Sequence, residues 1–143
     1  MTNKIIDGII RKLTEAFGDD YEIYPEELKQ GLQKPCFFIK LLNPTNTKER
    51  GERYYRENSF CIHFFPQSTN EPKSECYEIL DELYLALEYI EVEENLVRGV
   101  SVSSEMHDGI LLFFINYNVF VSKVYDPAKM EILETIQMKK TKG

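Results

Sequence analysis

The sequence predicts an α+β domain, a largely antiparallel four- to five-stranded sheet with two amphipathic helices packed on one face. Three observations lead there. Two segments repeat apolar residues at helical spacing, the stretches around them alternate at strand spacing, and an Asp-Gly pair joins two of the alternating runs. The order is helix, two or three strands, helix, hairpin, tail, which is the pattern of an α+β domain and not of a doubly wound sheet. The expected organisation is a single domain over residues 1–125 followed by an extended C-terminal arm, 126–143.

The first helix is expected over about residues 3–17. Ile6, Ile9, Ile10, Leu13 and Phe17 fall on one face, Thr2 or Asn3 is available as a cap, and Gly18 before Asp19-Asp20 ends it. Tyr21 to Tyr24 reads as a short strand stopped by Pro25. Pro35 to Leu42 is a β-type run bounded by Asn43-Pro44, and the wholly polar stretch 43–53 reads as a solvated connection. From Tyr54 a long strand places Phe60, Ile62 and Phe64 on one face and Cys61, His63 and Phe65 on the other, until Pro66 closes it.

The second helix carries the apolar stripe Cys76, Ile79, Leu80, Leu83, Leu87 and Ile90, with Asp81, Glu82 and Glu88 outside it. Asn70 or Ser74 is positioned to cap it, and Pro72 suits its first turn. Two strands follow, about 95–106 and 110–124, joined by His107-Asp108-Gly109, a strong hairpin signal. In the tail, Met130, Ile132, Ile136 and Met138 alternate loosely before Lys139-Lys140-Thr141-Lys142, so an extended arm is expected.

Charge and cysteine usage exclude several classes of function. Seventeen basic residues against 24 acidic ones give −7, the wrong sign for a protein that binds DNA by neutralising phosphates. The longest apolar run, Ile110 to Ile115, is far short of the ~20 residues that cross a bilayer, and Asp7 comes too early for a signal peptide. No membrane partner is expected, and the chain reads as made in the cytoplasm. Cys36, Cys61 and Cys76 have no CxxC spacing, so they read as small buried hydrophobes in a reducing compartment.

No catalytic constellation is apparent: there is no GxGxxG, Walker A, GxSxG or metal-ligand cluster, so no enzyme activity, cofactor or metal is expected. Cys61 and His63 share a strand face, but i and i+2 side chains lie roughly 6.5–7 Å apart, long for a thiol–imidazole hydrogen bond. His107 reads as a solvated turn residue. The acidic pairs Asp19-Asp20, Glu26-Glu27 and Glu93-Glu94 point to opposite sides of an extended chain and read as solvated surface.

The aromatic surplus is more telling. Nine Tyr and nine Phe concentrate in the strands and occupy both faces in places: Phe37 beside Phe38, Phe64 beside Phe65, Phe113 beside Phe114. Two helices hide one face of a sheet, so burial of the other by a neighbouring subunit is expected, a setting in which Tyr and Phe are enriched. The long polar loop, as a protruding arm, and the tail supply candidate interface residues: Thr47, Lys48, Glu49, Arg50 and Arg53 in the loop, Met130, Ile132 and Ile136 in the tail.

Several segments carry a resemblance: Glu27-Leu28-Lys29-Gln30-Gly31-Leu32 with Pro35 to Ile39, Ser59 to Pro66, and Glu75 to Ile79 with Leu83 to Ile90. Together they resemble the tail terminator family of tailed phages and prophages, from the first helix through the closing hairpin. The resemblance implies a virion structural protein that forms a ring, commonly a hexamer, with no cofactor and no turnover. Its partners would be itself, the tail tube protein and the head connector or head-completion protein, at the tail–head junction. Genomic DNA would pass through an acidic lumen without specific binding. A head-completion or tail-tube protein is a close variant of this reading. The alternatives from other classes are a small-molecule-binding or regulatory α+β domain of bacterial origin, with the aromatic face lining a pocket, and a cysteine enzyme using Cys61.

Overall fold

A computed structural model describes residues 1–25, 31–126 and 131–137. The elements in chain order are α1 (Thr2–Phe17), β1 (Glu22–Tyr24), β2 (Cys36–Lys48), β3 (Arg53–Phe65), α2 (Pro72–Ala86), β4 (Tyr89–Val92), β5 (Asn95–Arg98), β6 (Val100–His107), β7 (Ile110–Asn116), β8 (Val119–Asp126) and β9 (Glu131–Gln137). The fold is α+β. Its main sheet has seven strands in the order β1-β2-β3-β7-β6, with β8 also on β3 and β9 on β8. Only the β1–β2 pair is parallel. β4 and β5 form a separate two-stranded hairpin.

Strand register builds the core. Phe37 lies opposite Phe64, and Ile62 opposite Phe113, so the even positions of β3 line up with the odd positions of β2 and β7. This face carries Phe37, Ile39, Phe60, Ile62, Phe64, Leu111, Phe113 and Ile115, all buried, against Ile5, Ile9 and Leu13 of α1 and Cys76, Ile79 and Leu83 of α2. Both helices therefore cover one face, as their apolar stripes require. Gly18, at φ 74°, ends α1 and donates its N–H to Thr14 O at 3.0 Å. Asp108 and Gly109 turn β6 into β7 with φ values of 50° and 78°, the left-handed pair that a two-residue hairpin needs.

The structure differs from the sequence expectation in several places. The sheet has seven strands where four to five were expected, for two physical reasons. The run 110–124 breaks at Tyr117-Asn118 into β7 and β8, and residues 131–137 of the tail pair with β8 as β9. The apolar run 95–106 also breaks, at Gly99, which sends β5 out of this sheet to pair with β4 and leaves β6 in it. The polar stretch 43–53 is mostly strand. β2 continues through Lys48 and β3 starts at Arg53, with a register shift between Leu42 and Thr45, at Pro44. Backbone pairing holds this extension, so it needs no aliphatic side chains. Neither helix has a side-chain cap. Met1 O receives the first N–H groups of α1, and Glu71 occupies the N-cap of α2, so Thr2, Asn3, Asn70 and Ser74 do not serve. Leu87 and Ile90 lie beyond the end of α2 yet remain fully buried.

Within the tail, residues 131–137 form β9, antiparallel to β8 from Asp126↔Glu131 to Phe120↔Gln137. Arg56 ties this strand down. Its guanidinium donates to both carboxylate oxygens of Glu134, at 2.7 and 2.8 Å, and its Nε to Asn46 Oδ1 at 2.9 Å. That bidentate bond holds the Glu134 carboxyl below its ordinary pKa. One arginine on β3 thus links β2 to β9.

Candidate interaction surface

The far ends of β2 and β3, with β8 and β9, form an arm that extends the sheet past the two helices. Its tip is the tight turn 49–52, where Glu49 donates its N–H to Arg53 O at 2.9 Å and Gly51 adopts φ 59°. Thr47 pairs with Tyr55 and Lys48 with Tyr54. The arm is faced with rings and cations. Arg53 stacks its guanidinium 4.2 Å over Phe120, Lys123 sits 4.6 Å over Tyr54, and Tyr55 meets Phe120 at 4.8 Å. Arg53 Nε is buried with no hydrogen-bond partner among the described residues.

At the base of the arm lies an open cleft of about 530 Å³. Tyr89, Leu96, Val97 and Arg98 of the β4–β5 hairpin form one wall. Tyr55, Val119, Phe120, Ile136 and Gln137 form the other, with Val100 and Asn118 between them and Glu49 at the tip side. Tyr89, Leu96 and Val100 are exposed.

The second face of the sheet is also apolar. Phe38 and Cys61 are buried there, outside the helix-covered cluster, while Phe65, Leu112 and Phe114 are half-buried. Phe38 meets Phe65 edge to face at 5.1 Å and Tyr24 at 5.4 Å. Both described helices sit on the opposite side. The aromatic residues that the sequence places on two faces are therefore divided as expected, and part of the second set is left to solvent.

The cysteines are poor nucleophiles. Burial pushes the Cys61 thiol up to about 11 and raises those of Cys36 and Cys76. At pH 8 a thiol with that value is ionised in about one molecule per thousand. All three thiols are expected to react slowly with an aromatic disulfide reagent in the native protein and rapidly once urea unfolds it. Fast native labelling of one equivalent, lost in Cys61→Ser, would restore the cysteine-enzyme reading. His107 is exposed in its turn, beside Asp108 Oδ2 at 3.3 Å. Among the described residues no group of three or more His, Cys, Asp or Glu is placed to hold a metal, and no helix is long and apolar enough to cross a membrane.

Of the residues nominated from sequence, Thr47, Lys48, Glu49, Arg50 and Arg53 come together at the arm's tip. Ile136 is half-buried against the chain's own core and also borders the cleft. Ile132 takes part in β9 opposite Tyr125. Met130, the Glu26-Glu27 pair and the lysine-rich end lie outside the described residues. Sequence reasoning missed Tyr89, Leu96, Arg98 and Val100. Alternation inside the run 95–106 suggested one continuous strand with one inward face, which hid the outward side of a separate hairpin.

A family model described as phage tail terminator protein matches residues 4–129, most of the chain. No curated protein matches at a significant level.

Proposed function

This chain belongs to the phage tail terminator family, and from that premise we propose that it is a structural virion component whose copies form a ring, with six subunits the expected number. The ring caps the finished tail tube and offers its other side to the head connector or a head-completion protein. The observation that carries the reading is the second sheet face. Phe65, Leu112 and Phe114 are only partly buried, on a surface with no described helix over it. A lone soluble domain gains nothing by wetting such a face, whereas a subunit interface buries it. A cyclic ring needs two different patches per copy, and the arm, the cleft and this face supply them. With −7 on each subunit, the ring is anionic, so genomic DNA passes its lumen without a phosphate-binding well.

The test is the mass of the assembled species. Native mass spectrometry of the purified chain, alone and mixed with tail tubes, is expected to give a closed ring in at least the second condition. The same rings are expected to leave duplex DNA unretarded at low salt. A single copy in both conditions, or tight DNA binding, overturns the proposal.

A further inference from the structure

Large apolar side chains stand exposed in two places among the described residues: on α2, and along the β4–β6 segment at the cleft. The α2 set is Tyr77, Tyr84 and Leu85, at positions i, i+7 and i+8. They fall on one flank of the helix, roughly 100° wide, away from the Cys76–Ile79–Leu83 stripe that faces the core. Leu85 is 79% exposed, although nothing in the fold of one copy requires a leucine there. Asp81, four residues from both Tyr77 and Leu85, sits in the middle of that flank, and Glu78 and Glu82 border it. The ridge is thus apolar with an acidic centre.

The cleft is its counterpart in shape and offers one cation to the acidic centre. Its walls are apolar, with Tyr89, Leu96 and Phe120 prominent, and Arg98 is part of one wall. Arg98 is the one cation among the cleft residues, and it is exposed. Glu49 is the one carboxylate among the cleft residues. A groove of about 530 Å³ takes several large side chains, and an apolar ridge with an acid at its centre can set that acid against Arg98 on the hairpin wall, away from Glu49 at the tip side.

We propose that α2 of one copy docks into the cleft of the next copy, with Leu85 and Tyr77 against its apolar walls and Asp81 paired to Arg98. The contact joins two different surfaces, so it propagates head to tail and closes when the rotation per step allows. It rests on the ring reading above and names one contact that makes the ring.

The test uses the full chain, assembled alone or on tail tubes, whichever condition forms rings. Leu85→Asp, Asp81→Arg and Arg98→Asp are compared with the double charge reversal Asp81→Arg/Arg98→Asp, and thermal melts confirm that each variant is folded. Each single variant is expected to weaken association at least about tenfold, and the double reversal to return it to within about threefold of the unaltered protein. Rings that form equally well in all four variants overturn this contact and leave the ring itself standing, as would be the case if the cleft binds a small molecule. A two-copy species that never grows overturns the head-to-tail arrangement. A single copy in every condition overturns both proposals.

Discussion

Replacing Tyr117 by alanine is expected to cost about 3–5 kcal/mol of stability, and replacing it by phenylalanine about 1–3 kcal/mol. Tyr117 is fully buried, yet it stands at the break between β7 and β8, where β3 changes partner. Its hydroxyl donates to Leu87 O, just past the end of α2. Its backbone N–H donates to Asn58 O at 2.9 Å, and its carbonyl accepts from Asn58 Nδ2 at 3.0 Å. Asn58 is the buried polar residue of the core, and its own N–H donates to Asn118 Oδ1 at 3.2 Å. Burial raises the phenol's pKa, so the group stays neutral and keeps its proton for Leu87. Alanine removes the ring from between Phe60 and its neighbours and leaves a cavity, while phenylalanine keeps the ring and strands one buried carbonyl. Urea unfolding followed by circular dichroism measures both. A phenylalanine variant within about 0.5 kcal/mol of the parent would mean that the Leu87 carbonyl finds water, contrary to its buried surroundings.

Much of the architecture is legible in the chain because one signal, periodicity, governs it. The α1 stripe, the α2 stripe through Leu83, the alternation of β3 and the Asp108-Gly109 turn each lie within a window of a few residues, and each is found where it was expected. The breaks were not legible, because tertiary contacts cause them. Nothing local marks Tyr117 as the end of a strand: it continues the alternation of Phe113 and Ile115, and only its link to Asn58, 59 positions away, turns the chain out of the ladder. The strand character of the arm was missed for the opposite reason. Residues 43–48 have no apolar pattern, and their pairing with 54–57 comes from backbone geometry, which hydrophobic periodicity does not report. The candidate surface is half legible on the same grounds. The arm's charged tip is evident in the sequence, while Leu85 on α2 was available as an apolar residue off the helical stripe. The outward side of the β4–β5 hairpin needed the break at Gly99 to be seen first.

That break carries the second large effect. An alanine at position 99 is expected to destabilise the fold by about 1–3 kcal/mol, and a valine by more. A Cβ there would lie 2.3 Å from Ile115 Cδ1 and 3.0 Å from Leu87 O, and Ile115 has no free space to move into, being 1% exposed. Gly99 also donates its N–H to Glu88 O at 2.8 Å. The two residues after α2 are therefore held from both sides, Leu87 by the Tyr117 hydroxyl and Glu88 by Gly99, which joins three chain breaks next in sequence to the cleft residues Arg98, Val100 and Asn118. The cause can be isolated with a compensating change. Ile115→Val deletes the Cδ1 atom, the nearer of the two Ile115 atoms that a side chain at 99 would strike, keeps the γ-carbon at 2.9 Å, and alone should cost about 0.5–1.5 kcal/mol. If the clash is the mechanism, Gly99→Ala combined with Ile115→Val will lose less stability than the two single losses added together, a coupling on the order of 1 kcal/mol. Simple additivity in urea unfolding would shift the cause from Ile115 Cδ1 to the contacts that valine leaves in place, the γ-carbon at 2.9 Å and Leu87 O at 3.0 Å. A head-to-tail ring built on this cleft predicts, in addition, that Gly99→Ala weakens assembly while the Ile115→Val background restores part of it, because Gly99 lies between Arg98 and Val100, both of which line the cleft.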